Sequence, residues 1–296
     1  LLAGWPWLYR DACDEALRAA EALGMAPEPQ AWLREHRLMR LVDHADMFLA
    51  RTRSDRWLHR HVDVQGSWQV EGQAAVLVTF HWAAGMWAHR HARASGLKPH
   101  MLLARPTEGD YARRGVLRRY AQARARTVAQ ADGRPVIFVP GALASLREAW
   151  QRDEQVIVVI DVPPDQVKLT APQQVLGRRA HMPIGLPRLA VQGRIPVTVF
   201  TLGFDARTGR RDLRLHPLGV WEDEAALGAR IFEHFDRVVR ERPACWHFWS
   251  VAERFFAERP EERAGDASST PSLPPMGSGP APPVIGRCVR DFLRRK

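Results

Sequence analysis

Residues 74–87, AAVLVTFHWAAGMW, decide how this chain is read. Ala74–Phe80 is a short apolar run with β-branched residues, the composition of a strand buried on both faces. His81 follows with no spacer, and a helix is expected over 83–95. In a parallel α/β sheet, reactive groups collect at the carboxyl ends of the strands, close to free helix N–H groups that attract negative charge. A histidine at that junction faces a crevice. Alone it is a weak signal for catalysis, and its neighbours along the chain decide its weight.

Outward from this stretch the same alternation repeats. Apolar runs recur at Met101–Leu103, Pro135–Val139, Val156–Asp161 (VIVVID) and Ile195–Leu202. Helical periodicity lies between them at 111–131, 142–152 and 185–193. Alternating strands and helices predict an α/β fold with a central, mostly parallel sheet flanked by helices. Thr208–Gly209, between Val197–Phe204 and Leu213–Leu215, marks a hairpin near the sheet edge. Two helices, 8–24 and 31–50, precede the sheet and are parted by Pro27–Glu28–Pro29; closing helices are expected at 222–242 and 246–258. One α/β domain therefore covers 1–258, with its N-terminal helices in 1–60. A disordered linker is expected over 259–283, where Pro, Ser, Gly and Ala dominate. Residues 284–296 repeat apolar pairs every four residues and carry five basic residues and one acid from Arg287 onward, which describes a short basic amphipathic helix.

Composition narrows the class. The 296 residues suffice for a substantial core. The net charge is +10; only Lys98, Lys168 and Lys296 are lysines, so arginine supplies nearly all the positive charge. Such a surface favours anionic partners: an acidic carrier protein, a phosphorylated ligand, or an anionic lipid or membrane surface. No nucleic-acid motif accompanies the charge, which ranks nucleic acid below these partners. Cys13, Cys245 and Cys288 are too far apart for a metal set or a disulfide framework. No apolar stretch reaches the roughly 20 residues a membrane helix needs. Leu1–Leu8 (LLAGWPWL) reads either as the edge of the first helix or as an interfacial anchor through Trp5 and Trp7. The expected location is cytoplasmic, with peripheral contact at the inner face of the cytoplasmic membrane.

The pattern VLVTFHWAAGMW resembles the catalytic block of the bacterial lipid A late acyltransferases (lauroyl/myristoyl acyltransferases), within the lysophospholipid-acyltransferase-like superfamily. Four further blocks follow in the family's order. Arg105–Pro106 with Arg113, Arg114, Arg118 and Arg119 resembles the basic second block; Leu146–Asp165 resembles a strand ending in Asp, with Asp161 in the matching place. Gly177–Ala190 resembles a segment that passes a small pocket wall at Gly185, and Pro243–Trp249 (PACWHFW) resembles the closing Pro-x-x-Trp-x-x-Trp pattern. Together the blocks span about residues 60–256. The resemblance implies transfer of a fatty acyl group from an acyl carrier protein or coenzyme A thioester to a hydroxyl, or to an amine, with His81 as general base and no bound cofactor. It departs at one place: where the family has an acid after four intervening residues, five positions beyond the histidine, this chain has Met86. Methionine cannot orient an imidazole. Three readings stay open: another carboxylate stands in (Glu108, Asp110 or Asp161), a backbone carbonyl orients the ring, or the protein is a catalytically silent lipid-binding or scaffold protein.

The remaining features have blander readings beside the functional ones. His89 and His91 lie on different sides of a helix and lack companion ligands, so no metal site is expected and both read as partly exposed. The seven arginines from Arg105 to Arg126 form either a solvated helix face or a phosphate-recognition surface, and Arg105, ending a strand, is the one expected to point at the site. Trp82 and Trp87 flank the histidine and are candidates for an acyl-pocket wall, with Met86 beside them. Trp246 and Trp249 read as core. Gly185 reads as a point of close backbone approach.

Overall fold

The computed structural model describes residues 10–105 and 115–256. The segment Leu1–Leu8, the residues Glu108, Asp110, Arg113 and Arg114, the linker over 259–283 and the helix over 284–296 lie outside the described residues.

The described chain is α/β. Its strands are β1 (Val62–Gln65), β2 (Ala75–Thr79), β3 (Pro99–Ala104), β4 (Ile137–Val139), β5 (Gln155–Val159), β6 (Thr170–Val175), β7 (Arg178–Pro183), β8 (Val197–Phe204) and β9 (Arg211–Gly219). Its helices are α1 (Arg10–Ala22), α2 (Pro29–Thr52), α3 (Asp55–Arg60), α4 (Met86–Ala94), α5 (Gly115–Asp132), α6 (Leu143–Gln151), α7 (Gly185–Gly193), α8 (Glu224–Glu241) and α9 (Glu253–Phe256). Seven strands form one sheet in the order β1-β9-β8-β2-β5-β3-β4, and β6 pairs with β7 in a separate ribbon. Every neighbouring pair in the large sheet is parallel except β8 and β9, the hairpin expected at Thr208–Gly209.

Side-chain alternation sorts the core into two faces. Val76, Val78 and Phe80 join Val158, Ile160, Val197 and Val199 on one face, covered by Leu227, Ile231 and Phe235 of α8. Ala75, Leu77, Ile157 and Phe200 line the other, covered by Trp87, Ala88 and Ala92 of α4. Each such aliphatic or aromatic side chain contributes about 1.5–3 kcal/mol by leaving water. The helix α8 takes its place for legible reasons: Asp223 caps it by accepting from the Ala226 N–H at 2.6 Å, and Leu227, Ile231, Phe235 and Val238 form its buried stripe.

The connections after β2 and β5 pass over opposite faces of the sheet. From β2 the chain runs through α4 on one face toward β3; from β5 it runs through β6, β7 and α7 on the other face toward β8. The two connections leave adjacent parallel strands in opposite directions, so the carboxyl ends of β2 and β5 flank a topological switch point, where α/β folds bind ligands.

The structure corrects several expectations. The closing helix over 246–258 is replaced by short 3-10 turns at Pro243–Cys245 and Trp249–Val251 and a single turn of α9. Residues 245–247 instead spend their backbone groups on the turn after β2, described below. The helix over 83–95 begins only at Met86. The strands β1, β6 and β7 and the helix α3 were not expected: β1 is four residues long, and the β6–β7 ribbon sets the polar Gln173, Gln174, Arg178 and Arg179 among the buried Val175, Ala180 and Met182. Among the described residues, no helix is long and apolar enough to cross a membrane.

Candidate active site

His81 lies two residues beyond β2, and Asp161 two residues beyond β5, its parallel neighbour. Equal overhang on adjacent strands brings them together at the switch point. The Asp161 carboxylate is fully buried and accepts from three N–H donors. The His81 backbone N–H reaches Oδ1 at 2.9 Å and Oδ2 at 3.1 Å, His81 Nδ1 donates to Oδ1 at 3.1 Å, and Trp246 Nε1 donates to Oδ2 at 2.8 Å. A carboxylate oxygen can only accept, which places the ring proton on Nδ1 and leaves the Nε2 lone pair free. Among the described residues Nε2 has no hydrogen-bond partner, and the side chain keeps 27 % of its surface exposed. One face of the ring stacks on Phe248, with centroids 3.6 Å apart and planes 17° apart.

The turn carrying His81 is tightly held. Trp82 and Trp246 form an isolated antiparallel bridge, with the Ala83 N–H donating to Cys245 O and the His247 N–H to His81 O, each at 2.8 Å. Ala83 adopts φ of 30°, in the left-handed region that a β-carbon disfavours. The segment 243–249 is itself anchored: His36 Nδ1 of α2 donates to Ala244 O at 2.9 Å, and Trp249 Nε1 to Pro243 O at 2.7 Å. His36 is fully buried, stacked on Trp32, and held neutral well below the usual histidine range by burial and by the nearby Arg40.

Met86 is not at the site. It is the first residue of α4 and is buried at 2 % exposure in the core beneath the other face of the sheet. Of the three carboxylates named for that role, Asp161 lies within hydrogen-bond reach of the His81 ring, while Glu108 and Asp110 fall outside the described residues. Trp82 is buried at 5 % in the main core, paired with Trp246, and Trp87 is buried at 1 % over Arg211. Both are occupied as core residues. Arg105 directly follows β3, but its guanidinium covers the Phe138 ring of the edge strand β4, away from β5. Gly185 opens α7; a β-carbon there would meet nothing within 4 Å, so no close backbone approach requires the glycine, which corrects the expected reason for it. His89 is buried rather than partly exposed, with Nδ1 2.8 Å from Asp132 Oδ1, while His91 accepts from Trp68 Nε1 at 3.2 Å. No cluster among the described residues could hold a metal ion.

The residues that the sequence reading missed are Phe248, His247 and the functional side of Trp246. A Trp-His-Phe run after Pro243 carries no periodicity, and only pairing with residues 81–83 gives it meaning. A cleft of about 730 Å³ opens beyond the end of β8, between α2 and β1, and is lined by Arg34, Arg210, Arg214, Arg242 and Asp212. His81 does not line it. Its arginines are largely spent on neighbours: Arg210 on Asp63, Arg242 on Asp212 and Phe204 O, Arg214 on Glu241. No protein-family model and no curated protein matches the chain.

Proposed function

We propose that this protein is an acyltransferase of the lysophospholipid-acyltransferase-like kind, moving a fatty acyl group from a carrier-protein or coenzyme A thioester to a hydroxyl. The observation that carries the reading is the His81–Asp161 pair at the switch point, with Nδ1 fixed by a buried carboxylate and Nε2 unengaged. The block resemblance gives the reaction class, and the pair gives a mechanism that fits it.

The acceptor hydroxyl approaches Nε2. As its oxygen attacks the thioester carbonyl, the neutral imidazole takes the proton. Asp161 holds the ring in the Nδ1–H tautomer and steadies the imidazolium that forms. The C–S bond then breaks, the new ester C–O bond remains, and the imidazolium returns its proton to the departing thiolate. The reading of a catalytically silent binding protein rested on the missing acid at position 86; a carboxylate supplied from β5 takes away that reason. Membrane association and a carrier-protein partner follow the charge of the chain and belong to the same proposal.

The test is direct. Purified protein is incubated with acyl carrier protein and coenzyme A thioesters of several chain lengths and a panel of hydroxyl lipids, with products read by mass spectrometry. Turnover that disappears in His81→Ala supports the assignment. Equal turnover in that variant, or none with any donor, rejects it.

A further inference from the structure

We propose that His247 is a positioning residue, clamping the turn that aims His81 so that only one tautomer and one orientation of the catalytic imidazole are populated. The inference rests on the reading of His81 as the general base and extends it to a residue that the sequence left unassigned.

His247 grips the turn twice. Its backbone N–H donates to His81 O and its ring Nε2 donates to Ala83 O, both at 2.8 Å. A carbonyl can only accept, so the ring proton sits on Nε2 and the two bonds straddle Trp82. Between them lies the one positive-φ residue of the turn, Ala83, whose left-handed backbone persists only where its surroundings over-determine it. The Ala83 N–H bond to Cys245 O and the Ala84 N–H bond to Leu202 O complete that restraint. Strand alternation adds a second argument. With Trp82 opposite Trp246, His81 and His247 are cross-strand neighbours on the same side of the bridge. Any slip of His247 therefore displaces the base itself.

The chemistry suits a clamp better than a second base. Burial holds the His247 ring neutral, with its pKa pushed down to about 4 despite the favourable charge of Asp43 and the bond to Ala83. A neutral ring whose proton is committed to a backbone carbonyl keeps the same hydrogen bonds across the whole neutral pH range. The neighbouring residues of the same segment act on the other parts of the site: Trp246 holds Asp161, and Phe248 stacks on the His81 ring. Three consecutive side chains thus fix the acid, the turn and the base.

Histidine-selective ¹⁵N NMR of the full chain tests this without any substrate. In the wild type, His247 should show the Nε2–H pattern and His81 a single Nδ1–H pattern; a His247 proton on Nδ1 overturns the proposal outright. In His247→Ala, His81 should populate both tautomers, and acyl transfer should fall by about 10- to 100-fold in kcat with KM nearly unchanged. His247→Gln, whose amide can still donate to Ala83 O, should recover most of both signals. If His247→Ala does not fold, His247→Gln against His247→Leu makes the same comparison of donor with non-donor. A single His81 tautomer retained in the non-donor variants overturns the clamp. Absence of turnover in the wild type rejects the function and leaves the NMR comparison to decide the clamp.

Discussion

Asp161→Asn is the sharpest perturbation of this site, because it preserves shape and removes one property. The carboxylate offers an oxygen to each side: Oδ1 to His81 Nδ1–H and Oδ2 to Trp246 Nε1–H, with the His81 backbone N–H shared between them. An amide has one oxygen and one NH₂. If the oxygen faces Trp246, the NH₂ faces His81 Nδ1 and forces the ring proton to Nε2, which abolishes the base. If the oxygen faces His81, the buried indole N–H is left without an acceptor, at a cost of about 1–3 kcal/mol. The first arrangement keeps every donor paired, so it wins. The wrong tautomer costs a catalytic triad about 10⁴ in turnover, and a fall of 10²–10⁴ is expected here. Each lost charge-assisted bond also removes about 1.5–3 kcal/mol of stability, partly offset because an amide is cheaper to bury than a charge. A net loss near 2 kcal/mol lowers Tm by roughly 4–8 °C for a chain of this size. The assay is acyl transfer followed by mass spectrometry, with thermal unfolding by circular dichroism and ¹⁵N NMR of His81 on the same sample. A variant with wild-type turnover, or with His81 still protonated at Nδ1, refutes the assignment of Asp161.

Met86→Glu restores the acid spacing of the resembling family yet should not raise activity, because position 86 is buried in the core under α4; a buried carboxylate there should cost on the order of 3 kcal/mol or more, read from the urea midpoint. Trp246→Phe keeps the packing and deletes the donor to Asp161, so turnover should drop about 10-fold with a stability loss near 1 kcal/mol; an unchanged rate would show that the indole bond is idle. Burial, with the positive charge around it, holds His234 at a pKa of about 3, neutral, with Nδ1 accepting from Arg237 at 2.6 Å. Between pH 6.5 and 3 the unfolded chain binds this proton and the folded chain does not, so stability is lost as pH falls through that window, by up to about 1.4 kcal/mol per unit. His247 adds the same sign down to about pH 4. Urea midpoints from pH 7 to 4.5 should show the decline, and His234→Gln should make it shallower; an identical slope removes His234 from the account.

The sheet was legible because β2, β5 and β8 are buried on both faces, and such strands announce themselves as continuous apolar runs. The position of His81 followed from the end of one such run. What escaped notice was held by pairing rather than by periodicity. β6 and β7 mix exposed polar residues with buried apolar ones, and their register is set by pairing with each other in a two-stranded ribbon. Residues 246–258 carry enough apolar side chains to look helical, but Trp246 stays extended because its backbone faces Trp82. For Asp161 the sequence showed a strand ending in an acid without showing which strand lay beside it. Adjacency of β2 and β5 is a tertiary fact: β5 comes eighty residues later and inserts between β2 and β3.

That insertion also explains why His81 meets a carboxylate from β5 and would not meet one at position 86. With Ala83 at positive φ, the turn after His81 closes quickly and delivers Met86 to the core as the first residue of α4. A carboxylate there would be buried away from the imidazole, whereas the end of β5 is fixed to β2 by five consecutive parallel pairs, from Ala75–Gln155 to Thr79–Val159. Asp161 is thus positioned by the paired centre of the sheet, and His81 by a turn that depends on the 243–249 segment. The weak point of the dyad is that segment, not the sheet. Conditions that open residues 243–249 while leaving the core intact should uncouple His81 from Asp161 before global unfolding, because the segment supplies the clamp on the turn, the ring stack and the second donor to the carboxylate at once.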